Sequence, residues 1–490
     1  MFGIRVIKQK NSRLGIWVRR AALSLLLLVL VALLSVIPVV HDSEMRLTDT
    51  FARLAPPPPQ RSVAVLVLID EESLRQYGRW PWSREVLGRM INNLTRAEAR
   101  VIGLDVLLSE PQSPEADASL RTSLQASGRV VIVDKIGAFP DGPHWVEPLP
   151  EFLQAAVAIG HVQAVLDRDS VCRRFPPSEL TIDGQRLAFA IEVAQQTDPH
   201  RTSEFLASYA VSASDDTVNV NLAAPILVRI PFRRDGFETI SASTVLDGGN
   251  LAARFAGRPV LVGFGATEIS DRLNTPLSTE IPAPGIEVHA QILDAILTGR
   301  SLREVPPALA AVALALTCLI VVVVFRTNHS WAAVGLLAVL AIAVYAIGFL
   351  AFMSVSRILP TGAMLLAVIM GPLVVLTADF VVVERSLTQQ LLELRLWLTK
   401  QGKQTPIPKN TELSWKLDLL QKLETELGSL YELHKTLLES TQDLVAIFDQ
   451  GGSLMLNNQA FAAVLQPPTS GLTLAQLTTK TGGRGSKEHC

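Results

Sequence analysis

Three aspartates stand where a polar ligand site could form. Asp70 directly follows the apolar stretch 62–69, and Asp105 lies within the mostly apolar stretch 101–108; both stretches have the length of β-strands, and the two acids fall at or near the C-terminal ends of the predicted strands. Because ligands of open α/β sheets bind outside the C-terminal ends of the strands, these acids, with Asp271 as a third, predict a shared ligand-binding site. The alternative is structural: Asp70 caps the helix that follows it, and Asp105 satisfies backbone donors beside its strand.

Other patterns that carry chemistry are missing from this part of the sequence. There is no Ser-His-Asp order, no phosphate-binding glycine loop and no metal-spaced histidine cluster, so we expect no catalytic residue, no cofactor and no metal. His289 follows Glu287 by two residues on a predicted helix, which puts them on different faces, and we interpret it as a surface or junction histidine. Asp379, in the last apolar segment, is interpreted as an acid at the membrane interface, with an ion or signalling site as the alternative.

The elements that would position the acids alternate between strands and helices, which predicts an α/β fold with a mainly parallel sheet. Because the strands are continuously apolar, the first two are expected to form a parallel pair covered on both faces. The further strands predicted are 130–136, 226–232 and 259–264, and the helices are 83–97, 116–126, 187–196, 244–255 and 286–298.

The composition indicates a membrane protein rather than a nucleic-acid-binding one. Of the 490 residues, 49% are apolar and 18% charged, and the formal net charge of −2 gives no basic field that would attract a polyanion. Four apolar segments are long enough to span a bilayer: 21–40, 308–325, 331–353 and 359–383. The first is interpreted as an uncleaved anchor, and a cleaved signal peptide is the alternative.

Charge sets the expected topology. Basic residues without any acid precede the first segment, so the N-terminus is expected in the cytoplasm, and four spans return the C-terminus there. The predicted organisation is a basic N-terminus 1–20, a membrane helix 21–40, an extracytoplasmic domain 41–307, three membrane helices 308–383, cytoplasmic helices 384–440 and a final segment 441–490. Because Cys172 is the one cysteine of the outer domain, no disulfide within that domain is expected.

Five segments have a recognisable pattern: residues 69–111, with the unusual core GRWPWSR, and residues 167–174, 240–246, 260–266 and 284–297. They resemble type-two CHASE domains, which are bacterial extracytoplasmic sensor modules. With the three closely spaced membrane helices, the resemblance covers about residues 20–385 and implies a sensor in a bacterial inner membrane, with an undefined ligand. One departure is Asp169-Ser170, where the family commonly has Asp-Gly.

The C-terminal part predicts a relay. Leucines 413, 420 and 427, interleaved with 423, 430 and 437, form a short coiled-coil seam that predicts a weak homodimer. A single amphipathic helix packed on a neighbour is the alternative. Residues 441–490 resemble the start of a PAS domain, with a β-turn-β-α pattern and Asn458, Ala460 and Phe461 at the N-x-A-F position; the pattern stops inside the module.

The function expected is a transmembrane receptor that senses an extracytoplasmic cue and relays it to a cytoplasmic output domain. The resemblance implies the input half of a two-component sensor histidine kinase. The alternative is a functional enzyme, a histidine kinase or nucleotide cyclase, whose catalytic domain is missing from these residues. A transporter is a weaker reading, because the four spans show no evident pathway. The expected partners are an unknown ligand, the lipid bilayer and a second copy of the chain, without nucleic acid.

Overall fold

A computed structural model describes residues 13–213, 226–249, 251–327, 331–400 and parts of 421–448 and 454–464. The chain divides into two compact units, Met1–Val375 and Leu376–Cys490. The helices are α1 Arg13–Ser35, α2 Pro38–Leu54, α3 Glu71–Tyr77, α4 Arg84–Arg96, α5 Pro114–Ser127, α6 Pro150–Ala155, α7 Phe189–Thr197, α8 Pro199–Ala213, α9 Ala242–Asp247, α10 Ala252–Phe255, α11 Gly285–Thr298, α12 Pro307–Thr327, α13 Trp331–Val355, α14 Thr361–Lys400 and α15 Gln459–Val464.

Many of the strands are short, and several are two-residue pairings in loops. The strands are β1 Val65–Ile69, β2 Val101–Leu104, β3 Val130–Phe139, β4 Gly142–Val146, β5 Ala158–His161, β6 Arg174–Phe175, β7 Ser178–Thr181, β8 Gly184–Leu187, β9 Val228–Arg229, β10 Glu238–Ser241, β11 Pro259–Phe264, β12 Arg272–Leu273, β13 Ala283–Pro284, β14 Arg303–Glu304, β15 Arg357–Ile358, β16 Ala446–Phe448 and β17 Leu454–Asn457.

The main sheet is mixed but mostly parallel. Within the described residues its order is β10-β1-β11-β2-β3-β4, with β5 paired to β3. Only β4 runs antiparallel to its neighbour. The expected parallel pair of β1 and β2 is wrong, because β11 lies between them and pairs with both. This long-range insertion has no local sequence cause, since β11 follows β2 by more than 150 residues.

Helices cover both faces of this sheet, as its continuously apolar strands require. Side chains alternate along β1, so Val65 and Val67 face a core shared with α4 and α5. Leu66 faces the opposite core, which contains α7 and α11. The helices that follow β1 and β2 therefore lie on one face, and α11, which follows β11, lies on the other. Such a reversal leaves a crevice at the C-terminal ends of the strands.

Two predicted helices end earlier than expected, at a proline and at a glycine. The first apolar helix ends at Ser35 rather than at residue 40, because Pro38 cannot continue it and instead begins α2 at its first position. The predicted helix 244–255 is two helices, α9 and α10, since Gly248 adopts a left-handed conformation that ends α9. Of the predicted strand 226–232, only β9 forms.

Four helices are long and apolar enough to cross a membrane: Gly15–Ser35, Pro307–Arg326, Trp331–Val355 and Thr361–Glu393. Up to Val375 they share one apolar core, which includes Leu27, Val321 and Leu337. On α14, Ala363, Ala367 and Gly371 recur every four residues, a spacing that lets helix backbones approach closely. A Cβ added at Gly371 would overlap Val321 of α12, so this position needs glycine.

The second unit contains the two strands and the helix of the predicted β-turn-β-α pattern, while the predicted turn lies outside the described residues. β16 pairs antiparallel with β17, and α15 follows directly. Asn458 is buried between them: its Oδ1 accepts from the backbone N–H of Phe461 at 3.0 Å and of Val445 at 3.1 Å. Of the predicted leucine seam, Leu437 is described and is exposed; residues 413, 420, 423, 427 and 430 lie outside the described residues.

Candidate functional site

The carboxylate of Asp70 takes part in a local hydrogen-bond network. Its Oδ1 accepts from Ser73 N at 2.9 Å, from Ser73 Oγ at 2.6 Å and from Ser241 Oγ at 2.8 Å. The aspartate thus caps α3, the structural alternative, and also ties α3 to the end of β10. Burial raises the pKa of Asp70, but the hydrogen bonds from Ser73 and Ser241 outweigh it and hold the pKa below its usual value.

Asp105 has a different environment. It lies partly buried just beyond β2, and its backbone N–H donates to Val262 of β11 at 2.8 Å. Within the described part of the chain, its carboxylate accepts no hydrogen bond, which contradicts the alternative that it satisfies backbone donors. Burial, and after it the charge of Asp271, raise the pKa of Asp105 to about 7. The structure therefore brings Asp105 and Asp271 together.

Asp271 lies exposed in the loop between β11 and β13, next to β12. Its carbonyl accepts from Gly285 N at 2.8 Å, which joins the loop to the start of α11. Two acids near the C-terminal ends of β2 and β11, one with a pKa close to neutral, can hold a proton or accept hydrogen bonds from a polar ligand. Asp70 does not belong to this pair, because its carboxylate is turned to Ser73 and Ser241.

Two more titratable groups at the same edge of the sheet were missed by the sequence analysis. Asp134 of β3 is paired in register with His161 of β5, and both are buried. Burial raises the pKa of Asp134 to about 6, and burial lowers that of His161 to about 3. Arg186 Nε lies 3.3 Å from the Asp134 carboxylate. The sequence around both residues has the apolar pattern of a buried strand. The proximity of Asp134 and His161 follows only from the register in which β3 and β5 pair.

His289 is half-buried and packed against Phe189, so a surface position is not what the structure shows. Its ring packs edge-on against Phe189, with 5.4 Å between ring centroids, and its Nδ1 is buried. Burial lowers the pKa of His289 to about 4, which keeps the imidazole neutral. The physical reason is the helix itself: α11 is buried along most of its length, so even its polar positions face protein.

A second cluster of charged side chains lies where the sheet domain meets the membrane helices. Arg173 is almost fully buried and donates from Nε and Nη2 to both oxygens of Asp49 on α2, at 2.9 and 2.7 Å. The same guanidinium donates to Asp167 at 2.9 Å and to Asp169 at 2.7 Å. The acids and arginine of the 167–174 segment thus bind the helix that directly follows α1. Sequence reasoning noted this segment but not its partner on α2.

α2 also contacts the membrane helices. Phe51 packs against Tyr345 and Phe349 of α13, with ring centroids 5.2 and 5.6 Å apart. The Glu44 carboxylate accepts from Ala363 N at 3.1 Å and so caps the start of α14. Burial raises the pKa of Glu44, against the lowering effect of the backbone N–H groups of Gly362 and Ala363.

A short ladder adds a further connection. β14, just before α12, pairs in parallel with β15, which lies between α13 and α14. The end of α1, the start of α12, the end of α13 and the start of α14 are therefore all at the end of the bundle that meets the sheet domain. We call this region, formed by α2, the 167–174 segment, β14 and β15, the junction.

The chain matches the CHASE2 domain family over residues 24–324, and it belongs to that family. The match includes the sheet domain, α2 and the Arg173–Asp49 contact, and residues 24–324 thus form a CHASE-type sensor domain. No curated protein and no solved structure matches the chain. Within the described residues, no group of three or more histidine, cysteine or acidic side chains could hold a metal ion.

Proposed function

We propose that this chain is the input part of a transmembrane signal receptor, with its CHASE2 domain outside the cytoplasmic membrane of a bacterium. An extracytoplasmic cue changes the domain, and the membrane helices relay the change to a cytoplasmic output domain of the sensor histidine kinase type. The observation that carries the proposal is α2: it follows the first membrane helix, is bound to the sensor domain through Asp49 and caps the last membrane helix through Glu44.

The arrangement of helix ends supports the topology. If the four helices cross the bilayer, both sensor-side connections at the junction favour a topology with the domain on one face and the end of α12, with Arg326, on the other. A basic residue at that turn and basic residues before α1 favour a cytoplasmic location for these ends. Arg357, which alone opposes the charge rule, is accounted for by β15, where it donates to the carbonyl of Glu304 at 3.3 Å.

The topology can be tested by labelling. In intact cells, with Cys490 replaced by serine, an impermeant maleimide should label Ser203→Cys in the sensor domain and not Ser440→Cys in the second unit. Both serines are exposed and lie outside the membrane-crossing helices, so accessibility within the protein is matched. Labelling of Ser440→Cys but not of Ser203→Cys would mean that the orientation is the reverse.

For the ligand, we propose the crevice beside β11, with Asp105 and Asp271 as the contacting acids. The support for this site is the position of the two acids near the strand ends and the effect of the Asp271 charge on the pKa of Asp105. A thermal-shift screen of small polar metabolites on the purified full chain tests this. A stabilising compound should lose its effect in Asp105→Asn and keep it in Asp247→Asn, whose acid contacts Tyr77 instead. Equal loss in both variants would contradict the site.

For the relay, we propose a homodimer formed through the cytoplasmic helix and a PAS-type module from residue 441 onwards. The exposed Leu437 and the β16-β17-α15 arrangement support these two parts. Leu437→Cys should form a disulfide between two copies in membranes, at a rate that changes when Asp49→Asn breaks the junction. A monomer under all conditions would contradict the dimer. The alternative, a kinase or cyclase with its catalytic domain elsewhere, predicts phosphate transfer only when such a domain is joined to this chain.

A further inference from the structure

A cavity of about 310 Å³ lies inside the junction. Its walls come from α2, the proline segment 56–59, the residues around β9, the segment after α11 and the last turn of α13. Neither the crevice at the strand ends nor the Asp105–Asp271 pair belongs to it. It is a separate space at the membrane-facing end of the sensor domain.

The charged residues that line this cavity are mostly positive. Four arginines contact it, Arg173, Arg229, Arg234 and Arg300, and its one acid is Asp49. Arg229 is paired with Glu304 and Arg300 with Asp294, and neither of these two acids lines the cavity. The positive ends of both pairs therefore face the space, and their negative ends lie behind them.

Arg234 is the cation that remains available. It is exposed, and within the part of the chain that the structure describes it makes no hydrogen bond or ion pair. A guanidinium presents its donors in a planar fork that matches two oxygens of a phosphate or carboxylate. Arg234 could therefore bind an anion without giving up a structural contact.

The uncharged lining is mostly apolar, with Thr48, Ser301 and Ser356 as its polar members, and it reaches the membrane helices. Phe352 and Met353 of α13 line the cavity, together with the proline segment. Met353 is 41% exposed, and α13 ends two residues later. An apolar wall that continues onto a membrane-crossing helix suits an acyl chain, and it would serve no purpose for a small soluble anion.

We propose that this cavity binds the phosphate head group of an anionic phospholipid, with its acyl chains along the end of α13. Arg234 contacts the phosphate directly, and Arg229 and Arg300 supply the surrounding positive field. The lipid would touch α2, β9 and α13 at once, so its occupancy would stabilise the junction. This inference rests on the proposed membrane insertion, but not on the relay or the output domain.

Native mass spectrometry of the full chain in detergent tests the proposal, with phosphatidylglycerol and phosphatidylcholine as the two lipids. We expect phosphatidylglycerol to bind more tightly than phosphatidylcholine, and Arg234→Ala to weaken it about tenfold, as expected for one lost hydrogen bond to a charged group. Arg121→Ala is the matched control, because Arg121 is also exposed but lies on α5, away from the cavity. Arg234→Lys keeps the positive charge but lacks the planar pair of donors of a guanidinium. Its affinity for phosphatidylglycerol should lie between those of the wild type and Arg234→Ala.

Three results would overturn the proposal. The first is equal affinity for both lipids, and the second is equal binding by the Arg234→Ala and Arg121→Ala variants. The third is competition by glycerol 1-phosphate at the concentration at which phosphatidylglycerol binds, which would assign the site to a soluble anion. Lipid-free thermal unfolding of each variant shows whether the fold is intact. Failure here leaves the labelling and crosslinking tests of the receptor unaffected, so the two proposals fail separately.

Discussion

Arg173 of the sensor domain and Asp49 of α2 are joined by two parallel hydrogen bonds, from Nε to Oδ1 at 2.9 Å and from Nη2 to Oδ2 at 2.7 Å. Both side chains are buried, and the bidentate geometry fixes the angle of α2 as well as its distance. Since α2 continues from the first membrane helix after a two-residue break, this contact ties that helix to the sensor domain.

Asp49→Asn should therefore destabilise the junction. We expect a loss of about 2 kcal/mol in the free energy of unfolding, less than for an isolated buried pair because Arg173 keeps Asp167 and Asp169. Denaturant unfolding of the purified chain measures it. Asp42→Asn on the same helix is the control, since Asp42 has no hydrogen bond or ion pair among the described residues. Equal stability of the two variants would show that the contact is dispensable.

Asp105 should make stability depend on pH in a defined direction. Its folded pKa, about 7, lies above its unfolded value, so the folded state binds the extra proton. Its contribution is then fully present at pH below about 4 and is lost as the pH rises to about 7. Between these values, wild type should lose more stability than Asp105→Asn as pH increases, measured as the difference between their unfolding profiles.

Asp271→Asn tests the same pair from the other side. Without the charge of Asp271, the pKa of Asp105 in the folded state should fall. In Asp271→Asn, the loss of stability with rising pH should therefore end at a lower pH than in the wild type. Asp70→Asn should have the opposite sign to Asp105→Asn, because the folded pKa of Asp70 is lowered and its contribution is lost as pH falls. An unchanged profile for Asp271→Asn would mean that the two acids do not interact.

Gly371→Val should disrupt the membrane-helix bundle. The added side chain would overlap Val321, and overpacking of this kind costs about 1–3 kcal/mol. We expect a lower melting temperature of the detergent-solubilised chain. Gly335→Val on α13 is the control, because a Cβ there meets no atom within 4 Å. If both variants melt alike, the close contact of α14 with α12 is absent in the protein.

Glu44→Ala should loosen the start of α14. Loss of a capping acceptor costs about 1 kcal/mol, and the carboxylate accepts from Ala363 N. Glu44→Gln keeps an acceptor and should retain most of the stability, which separates capping from charge. Thermal unfolding compares the three proteins. A larger loss in Glu44→Gln than in Glu44→Ala would contradict the capping role.

Much of this architecture follows from local pattern alone. Continuous apolar runs located β1, β2 and β11, and Ser83 and Asp70 were recognisable as helix caps because capping depends on the next three residues. The membrane segments follow from length and apolar composition. Pro38 could have marked the end of α1 from the sequence, since its ring excludes a continuing helix.

The contacts that define the sites depend on distant residues. Whether Asp105 pairs with Asp70 or with Asp271 was decided by the insertion of β11 between β1 and β2, a pairing between segments far apart in the chain. The same holds for Arg173 and Asp49, which are 124 positions apart, and for the arginines that surround the junction cavity. The sequence by itself determined the membrane spans and the elements with a clear local pattern, such as β1, β2, β11, α4 and α5, because those depend on neighbours within a few turns; α2 and the sheet strands β5 and β10 were not predicted. Only the tertiary structure decided which side chains meet, because burial and charge act through space rather than along the chain.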